Sequence, residues 1–504
     1  MLREVKTENG IVRGLPAGDP RITSFKGIPF AAPPVGENRW RAPQPAENWE
    51  GVRECYKFAP ISMQHIPGLD EQNLYTREWN VDPEIEMDED CLYLNVWTPA
   101  KKADEKLPVF VWYFGGGLRE GNPAEMEFDG ERMARRGVIF VSVNYRLNAF
   151  GFMTHPQLAA EQPDAPANFG HLDQQFGTQW VKRNIAAFGG DPDNITIGGQ
   201  SAGGMSVSAQ LSSPQNKDLF QKAVIMSGLM ANVYKTSFGD IRMVDFKGAQ
   251  QKGADFFEFM GVKTLEEARK LPADFIRDKS EEFGWMWMTV PDGKFLLEET
   301  ENVMMTGKRW PVPLIVGCTV GETWAPVMAQ SMDDFQKLAD NAFGDKAGEF
   351  MSLIGNNVPA ATDATRINGV EIAVRTMKAI DKKNGVDNPV YFYKFNPEIP
   401  GFDHPGTFHS SDLWFWFENF AKCWRPFTGK HYDLARQMCN ALCYFCKNAD
   451  PNGVDNNGLP MPQWKPFTLD DQNVMYWGDT PVPYVEPANK LKDFLTEQNV
   501  KDFE

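Results

Sequence analysis

Apolar residues along the chain fall into short continuous runs, separated by stretches where they recur at helical spacing. LPVFVWYF (107–114) and GVIFVSVNYRL (137–147) are runs of strand length without polar alternation, which suits strands buried on both faces. In CLYLNVW, Leu92, Leu94 and Val96 alternate with Tyr93, Asn95 and Trp97, the two-residue period of a strand. The β-branched run Ile195-Thr196-Ile197, KAVIMSG (222–228), PVPLIVGCT (311–319) and VYFYKF (390–395) extend the series, and the pattern supports no strand after the last. Between them, NFGHLDQQFGTQWVKRNIAAFGGDPDN carries apolar residues at helical spacing and is closed by Gly189-Gly190. KHYDLARQM and the aromatic LWFWFENF also read as helical. Strands alternating with helices predict an α/β fold: a mostly parallel sheet covered on both faces. Residues 1–60 add strand-like pieces and SFKGIPFAAPPVGENRWRAPQP, whose prolines predict an extended surface segment.

Composition narrows the function classes. The 504-residue chain is 42% hydrophobic, enough for a large core. Its length alone would suggest several domains, but one extended sheet accounts for a single domain over 1–504, with less regular insertions at 235–310 and 330–385. A formal charge of -17 argues against nucleic acid or an anionic membrane as partner. No apolar run approaches the ~20 residues that span a bilayer. Seven cysteines, few and odd in number, imply no disulfide framework and favour a reducing compartment. With no signal-like stretch in MLREVKTENGIVRG a cytoplasmic location is expected; a trimmed leader would instead make it secreted or periplasmic.

Chemistry centres on NITIGGQSAGGMSVSAQL (194–211). A strand meets Gly199-Gln200-Ser201-Ala202-Gly203 and then a helix, the setting in which G-x-S-x-G becomes a nucleophile elbow. The two glycines suit a strained turn where neighbouring backbone passes close. A serine hydroxyl is a poor nucleophile unaided, so a histidine base, an orienting acid and oxyanion donors are needed. Gly115-Gly116-Gly117 ends the 107–114 strand and leaves backbone N–H groups uncovered for an oxyanion. The rivals are a plain flexible loop and a phosphate loop, but Gly115-x-Gly117-x-x-Glu120 lacks the last small residue of the dinucleotide fingerprint. Both Ser201 and the glycines lie at carboxyl ends of strands, where such sheets bind ligands.

The chain order serine, acid, histidine leaves three histidines. His431 sits inside a helical run and reads as a surface residue, and His404 lies in a Pro/Gly loop. His409 immediately precedes a helix, with Ser410 or Ser411 available as N-cap, and is the choice. Glu322, just past a buried strand, is preferred as acid over Asp292, which reads as a turn aspartate, and Asp412, which reads as a first-turn helix acid. Cys439, Cys443 and Cys446 spell C-x3-C-x2-C, the spacing of radical-SAM iron–sulfur ligands. On a helix they share one face with Leu434, Met438, Leu442 and Phe445, and core packing is the favoured reading.

These residues sit in longer stretches, FKGIPFAAPPVGENRW, EDCLYLNVWTP, GGG, VNYRL, NFGHLDQ, NIAAFGGDPDNITIGGQSAGG, VGCTVGE, HSSDLWFWF and KNADPNG. In that order, from about residue 8 to about 480, they resemble the type-B carboxylesterases, the α/β-hydrolase family that includes the cholinesterases. The resemblance implies ester hydrolysis through an acyl-enzyme without cofactor or metal. Ser201 would be nucleophile, His409 base and Glu322 acid, with the N–H groups of Gly116, Gly117 and Ala202 as oxyanion donors. Arg39 with Glu89 and Arg146 with Asp173 fall at structural ion pairs. Four departures stand out. Gln200 replaces a common Glu, which removes a charge that would favour choline-like esters. Phe114 replaces His or Tyr, and Thr323 follows the acid in place of Gly. Ser62 replaces a disulfide cysteine, leaving Cys91 without its partner. By the same resemblance Phe283, Trp285 and Trp287 help line an acyl pocket that the two insertions would shape. With Phe114, Leu118, Gln200 and Trp414 they suggest small or aromatic acyl esters, the alternative for these rings being core. A catalytically silent, cholinesterase-like binding protein is the other reading, although such relatives usually lose a triad residue and here all three persist.

Overall fold

The computed structural model describes residues 1–70, 72–79, 82–235, 245–322, 327 and 329–503. Strands β1 (Glu4–Lys6), β2 (Ile11–Arg13) and β5 (Val52–Glu54) form a small separate sheet. The large sheet uses β3 (Leu15–Pro16), β4 (Thr23–Pro29), β6 (Tyr93–Thr98), β7 (Leu107–Tyr113), β8 (Ile139–Val143) and β9 (Gly190–Gln200). It continues through β10 (Lys222–Met226), β11 (Leu314–Thr319), β12 (Val390–Phe395), β13 (Asn473–Trp477) and β14 (Pro481–Val485). Their order across the sheet is β14-β13-β12-β11-β10-β9-β7-β8-β6-β4-β3. The block from β8 to β13 is parallel, and antiparallel pairs finish both edges. The expected α/β architecture is therefore the observed one.

The continuous apolar runs follow from burial on both faces. Val109, Val111 and Tyr113 of β7 enter one hydrophobic core while Phe110, Trp112 and the following Phe114 enter the other. Helices Phe169–Asn184 and Gly369–Asn384 cover the first face and Gly429–Asn448 the second. The alternation at 92–97 has another cause than a solvent face, for β6 is buried almost throughout. Its polar member is satisfied internally: Asn95 donates to Ser142 Oγ at 3.0 Å and accepts from the Gly27 N–H at 2.9 Å. Cys439, Cys443 and Cys446 are buried in the second core, and all seven cysteines are free.

Four local expectations are corrected. Two strands follow 390–395: β13, whose Val474, Met475 and Trp477 are buried, and the edge strand β14. Pro481 and Pro483 masked β14, yet an edge leaves room for residues without an N–H. The aromatic helix is only Leu413–Trp416, and Glu418 turns out of it at φ 53°. Its N-cap is Asp412 rather than Ser410 or Ser411. His431 is buried, not at the surface: Nδ1 accepts the Thr428 N–H at 2.9 Å and Nε2 lies 3.0 Å from the Glu398 carbonyl.

Parallel register brings several chain reversals to one rim. Tyr113 pairs with Gly199, Gln200 with Met226 and Gly317 with Tyr393, so the segments after β7, β9, β10, β11 and β12 emerge side by side. Backbone packs closely at the β9-to-helix turn into Ala202–Ser212. A Cβ on Gly199 would lie 2.3 Å from the Gly203 backbone, and one on Gly203 would lie 2.0 Å from the Tyr113 carbonyl oxygen. Gly203→Ala should therefore destabilise the fold by roughly 2–3 kcal/mol, through overpacking against backbone that cannot yield. Urea unfolding measures this, and a loss under about 0.5 kcal/mol would show that the contact is slack.

Candidate active site

Ser201 occupies the turn itself at φ 56° and ψ -126°, a conformation that L-residues rarely adopt. Its N–H is bonded to the Met226 carbonyl at 2.8 Å and its carbonyl accepts from the Met205 N–H at 2.9 Å, so strand and helix hold the strained residue from both sides. The glycine loop packs on it. A Cβ at Gly115 would lie 2.7 Å from the Gln200 carbonyl oxygen, and Gly116 and Gly117 have φ of 102° and 66°. Gln64 braces the loop by exchanging two hydrogen bonds with the Gly121 backbone at 2.8 and 2.9 Å. Among the described residues the N–H groups of Gly116, Gly117 and Ala202 donate to no protein acceptor, and Gly116 and Gly117 line the same cavity as Ser201.

His409 reaches that cavity from the loop after β12. Its Nδ1 contacts Glu322 Oε2, while Nε2 lies 3.3 Å from the side-chain nitrogen of Gln200. Glu322 is buried at the end of β11, and its other oxygen accepts from Ser227 Oγ and, at 2.8 Å, from the Thr319 N–H. A carboxylate oxygen facing Nδ1 orients the imidazole and turns Nε2 toward Gln200 and the cavity. Thr407 ties the two loops together by accepting the Gly321 N–H at 3.0 Å. Thr323 lies outside the described residues.

The rejected candidates have other work. Asp292 accepts the Lys294 and Leu296 N–H groups in a turn. Asp412 is no exposed helix-start acid: it is fully buried, accepting from Tyr393 Oη at 2.8 Å and Trp416 Nε1 at 3.3 Å. Burial, then the charge of Glu322, pushes its carboxyl up to about 6. His404 is exposed.

The cavity measures about 250 Å³. Of the expected pocket residues only Gln200 joins its wall. Phe114 is buried against Tyr145 with centroids 4.3 Å apart, Leu118 is buried, and Trp414 is buried with Nε1 3.3 Å from Glu78. Phe283 packs against Phe256. Trp285 and Trp287 line a neighbouring cleft of about 290 Å³ that shares Arg119, Glu120 and Met286 with the cavity. The rings that do line the cavity are Tyr75, Trp79 and Phe128. Among the described residues of 235–310 only Met286 contributes, and from 330–385 nothing does, where the helices supply residues to the sheet's first core.

Sequence reasoning missed Ser227, Thr407, Tyr75, Trp79 and the acids Glu125 and Glu127. Ser227 had a signal: it ends a strand beside that of Ser201, where ligands gather. The ion pairs Arg39–Glu89 at 2.6 Å and Arg146–Asp173 at 2.7 Å are both buried, and Arg39 also donates to carbonyls of residues 268, 269 and 271. Ser62 Oγ donates to the Tyr145 carbonyl at 2.5 Å, and Cys91 is buried and free.

Comparison with known proteins fits this arrangement. The chain matches the sequence profile described as Carboxylesterase family over residues 2–366 and 356–501. It is similar to mouse (Mus musculus) cholinesterase, 31% identical over 94% of this chain and 82% of that protein. It is equally similar, 31%, to para-nitrobenzyl esterase of Bacillus subtilis strain 168, over 89% of this chain and 90% of that one. A solved PNB esterase structure superposes with a TM-score of 0.80 at 26% identity, covering 98% and 99% of the two chains. A thermophilic PNB esterase gives 0.77 at 27% over 98% and 100%. A match of this extent, joined to a strained serine that shares a cavity with a histidine paired to a glutamate, makes the chain a member of the carboxylesterase family, a serine hydrolase of carboxylic esters on an α/β-hydrolase fold.

Proposed function

We propose that Ser201 is the nucleophile, His409 the general base and Glu322 the residue that orients it, in a two-step hydrolysis through an acyl-serine. His409 Nε2 takes the hydroxyl proton as Ser201 Oγ attacks the ester carbonyl, and returns it to the departing alcohol. Water activated by the same nitrogen then releases the acid and frees the serine. The N–H groups of Gly116, Gly117 and Ala202 would hold the tetrahedral oxyanion, each worth about 3 kcal/mol by comparison with single-donor deletions. What carries the reading is the pairing of Glu322 with His409 beside a serine in strained geometry, with backbone donors left unused around it.

Small or aromatic carboxylic esters suit the cavity, since its volume is only about 250 Å³ and Tyr75, Trp79 and Phe128 offer ring surfaces. The Bacillus relative is named for para-nitrobenzyl esters, which supports an aromatic substrate here. Among the described residues no helix is long and apolar enough to cross a membrane.

Ser201→Ala should lower kcat/KM for p-nitrophenyl acetate by at least about 10³-fold, and a fluorophosphonate should label wild-type protein once per chain and the variant not at all. Retained turnover within about tenfold would remove Ser201 from the role. Gln200→Glu tests the environment of Nε2. A carboxylate 3.3 Å away would favour the imidazolium, raising the histidine pKa, so activity that needs neutral His409 would be lost at higher pH as pH falls. The acid limb of the kcat/KM profile should move up by on the order of one pH unit; an unmoved limb would place residue 200 out of electrostatic contact with the base.

A further inference from the structure

Two of the rings that line the Ser201 cavity stand on a segment that cannot hold itself. Tyr75 belongs to the helix Leu74–Glu78 and Trp79 is its C-cap, and a helix of five residues is far too short to be stable alone. The Asn73 side chain caps it by accepting the Tyr75 N–H at 2.9 Å. The helix lies between Ser62 and Cys91, and with Cys91 free no disulfide closes that stretch. Its place is therefore set by tertiary contacts. Those made by the rings are loose: Tyr75 and Trp79 have centroids 5.6 Å apart, and Tyr75 Oη donates to the His409 carbonyl at 3.3 Å.

The firm contact is made by Glu78. Arg425 Nε and Nη2 donate to Glu78 Oε1 at 2.8 and 2.6 Å, and both side chains are wholly buried. The other Glu78 oxygen accepts from Trp414 Nε1 at 3.3 Å, and Trp414 packs on Trp79 with centroids 6.2 Å apart. Arg425 also grips the loop after β12. Nη1 and Nη2 donate to the two carboxylate oxygens of Asp403 at 2.9 and 3.0 Å, and Nη1 donates to the Pro400 carbonyl at 3.0 Å. Phe408, next to His409 in that loop, lies with its ring centroid 5.4 Å from Cζ. All five N–H donors of the guanidinium are thus engaged, in two directions: toward the helix that carries the rings and toward the loop that carries the histidine. A buried ion pair contributes little net stability, because desolvation offsets the attraction. What a planar, rigid fork supplies is geometry, which the three donors of a lysine on a flexible stem do not reproduce.

We infer that Arg425 is a positioning residue for ester recognition: it fixes the Tyr75–Trp79 wall relative to the loop of His409, and the preference for an aromatic over an alkyl ester depends on it. This rests on reading the Ser201 cavity as the ester site.

The test compares kcat/KM of the full chain for benzyl acetate and ethyl acetate, which share an acyl group. Wild type should favour the benzyl ester by at least about tenfold, and Arg425→Lys should bring the ratio to within about twofold. A merely structural loss would lower both values by one factor and leave the ratio in place. In a Tyr75→Ala/Trp79→Ala background, adding Arg425→Lys should change the ratio by less than about twofold, since the rings it positions are gone. An unchanged ratio in Arg425→Lys overturns the inference; so does its full effect persisting without the rings, and so does a wild type that favours neither ester. If Arg425→Lys does not fold, Glu78→Gln decides by the same ratio, because it leaves the guanidinium and its Asp403 arm in place. Failure here leaves fluorophosphonate labelling of Ser201 intact, whereas failure of the ester-site reading would abolish labelling in wild type.

Discussion

The site depends on one close approach of backbone to backbone. Where β9 turns into the helix Ala202–Ser212, the helix start passes so near the end of β7 that a single added Cβ at Gly203 would reach to 2.0 Å from the Tyr113 carbonyl oxygen. That proximity places Ser201 in its strained conformation and sets the glycine loop after β7 directly against it. Strain of this kind costs on the order of 1–3 kcal/mol and persists only where the surroundings over-determine it. Here two fully buried hydrophobic cores clamp the sheet from both faces. The hydroxyl and the loop amides are thus placed by packing remote from the chemistry, and little reorganisation is left for the reaction itself.

The histidine and its carboxylate are assembled by neighbouring strands. Glu322 lies just past β11, is held by Ser227 just past β10 and by the Thr319 N–H, and meets His409 from the loop after β12. These strands are adjacent and in parallel register, so residues far apart in sequence leave the sheet within a few ångströms of one another. Thr407 links the segment before Glu322 to the histidine's loop by accepting the Gly321 N–H. Behind them Asp412 is kept buried by Tyr393 and Trp416, and its raised pKa reflects the low dielectric of that side of the site.

The cavity's character differs from the one its aromatic-rich sequence suggests. Tryptophans at 285, 287 and 414 serve the core or a neighbouring cleft, while the rings at the cavity come from residues 75, 79 and 128. The charge expected from a glutamate at position 200 is missing, yet carboxyls return to the same cavity from the loop that supplies the backbone donors. One short loop therefore brings both the unused backbone N–H groups and the carboxyls to the wall.

The sequence by itself determined the α/β alternation, the elbow at Ser201, the glycine loop, and the choice of His409 and Glu322. Each is written in local terms: uninterrupted apolar runs, Gly-x-Ser-x-Gly between strand and helix, and polar residues just past strand ends. It left β14 hidden behind its prolines and His431 misread as a surface residue, because edge position and burial are properties of neighbours that local pattern does not contain. Only the tertiary structure decided which rings and acids face the cavity. Phe114 and Phe128 are each buried within the same core, and whether such a side chain also touches a shared space depends on the packing of elements contributed by residues 75 to 413. That packing is fixed when the sheet closes its two cores, a long-range condition that no single stretch of the chain carries.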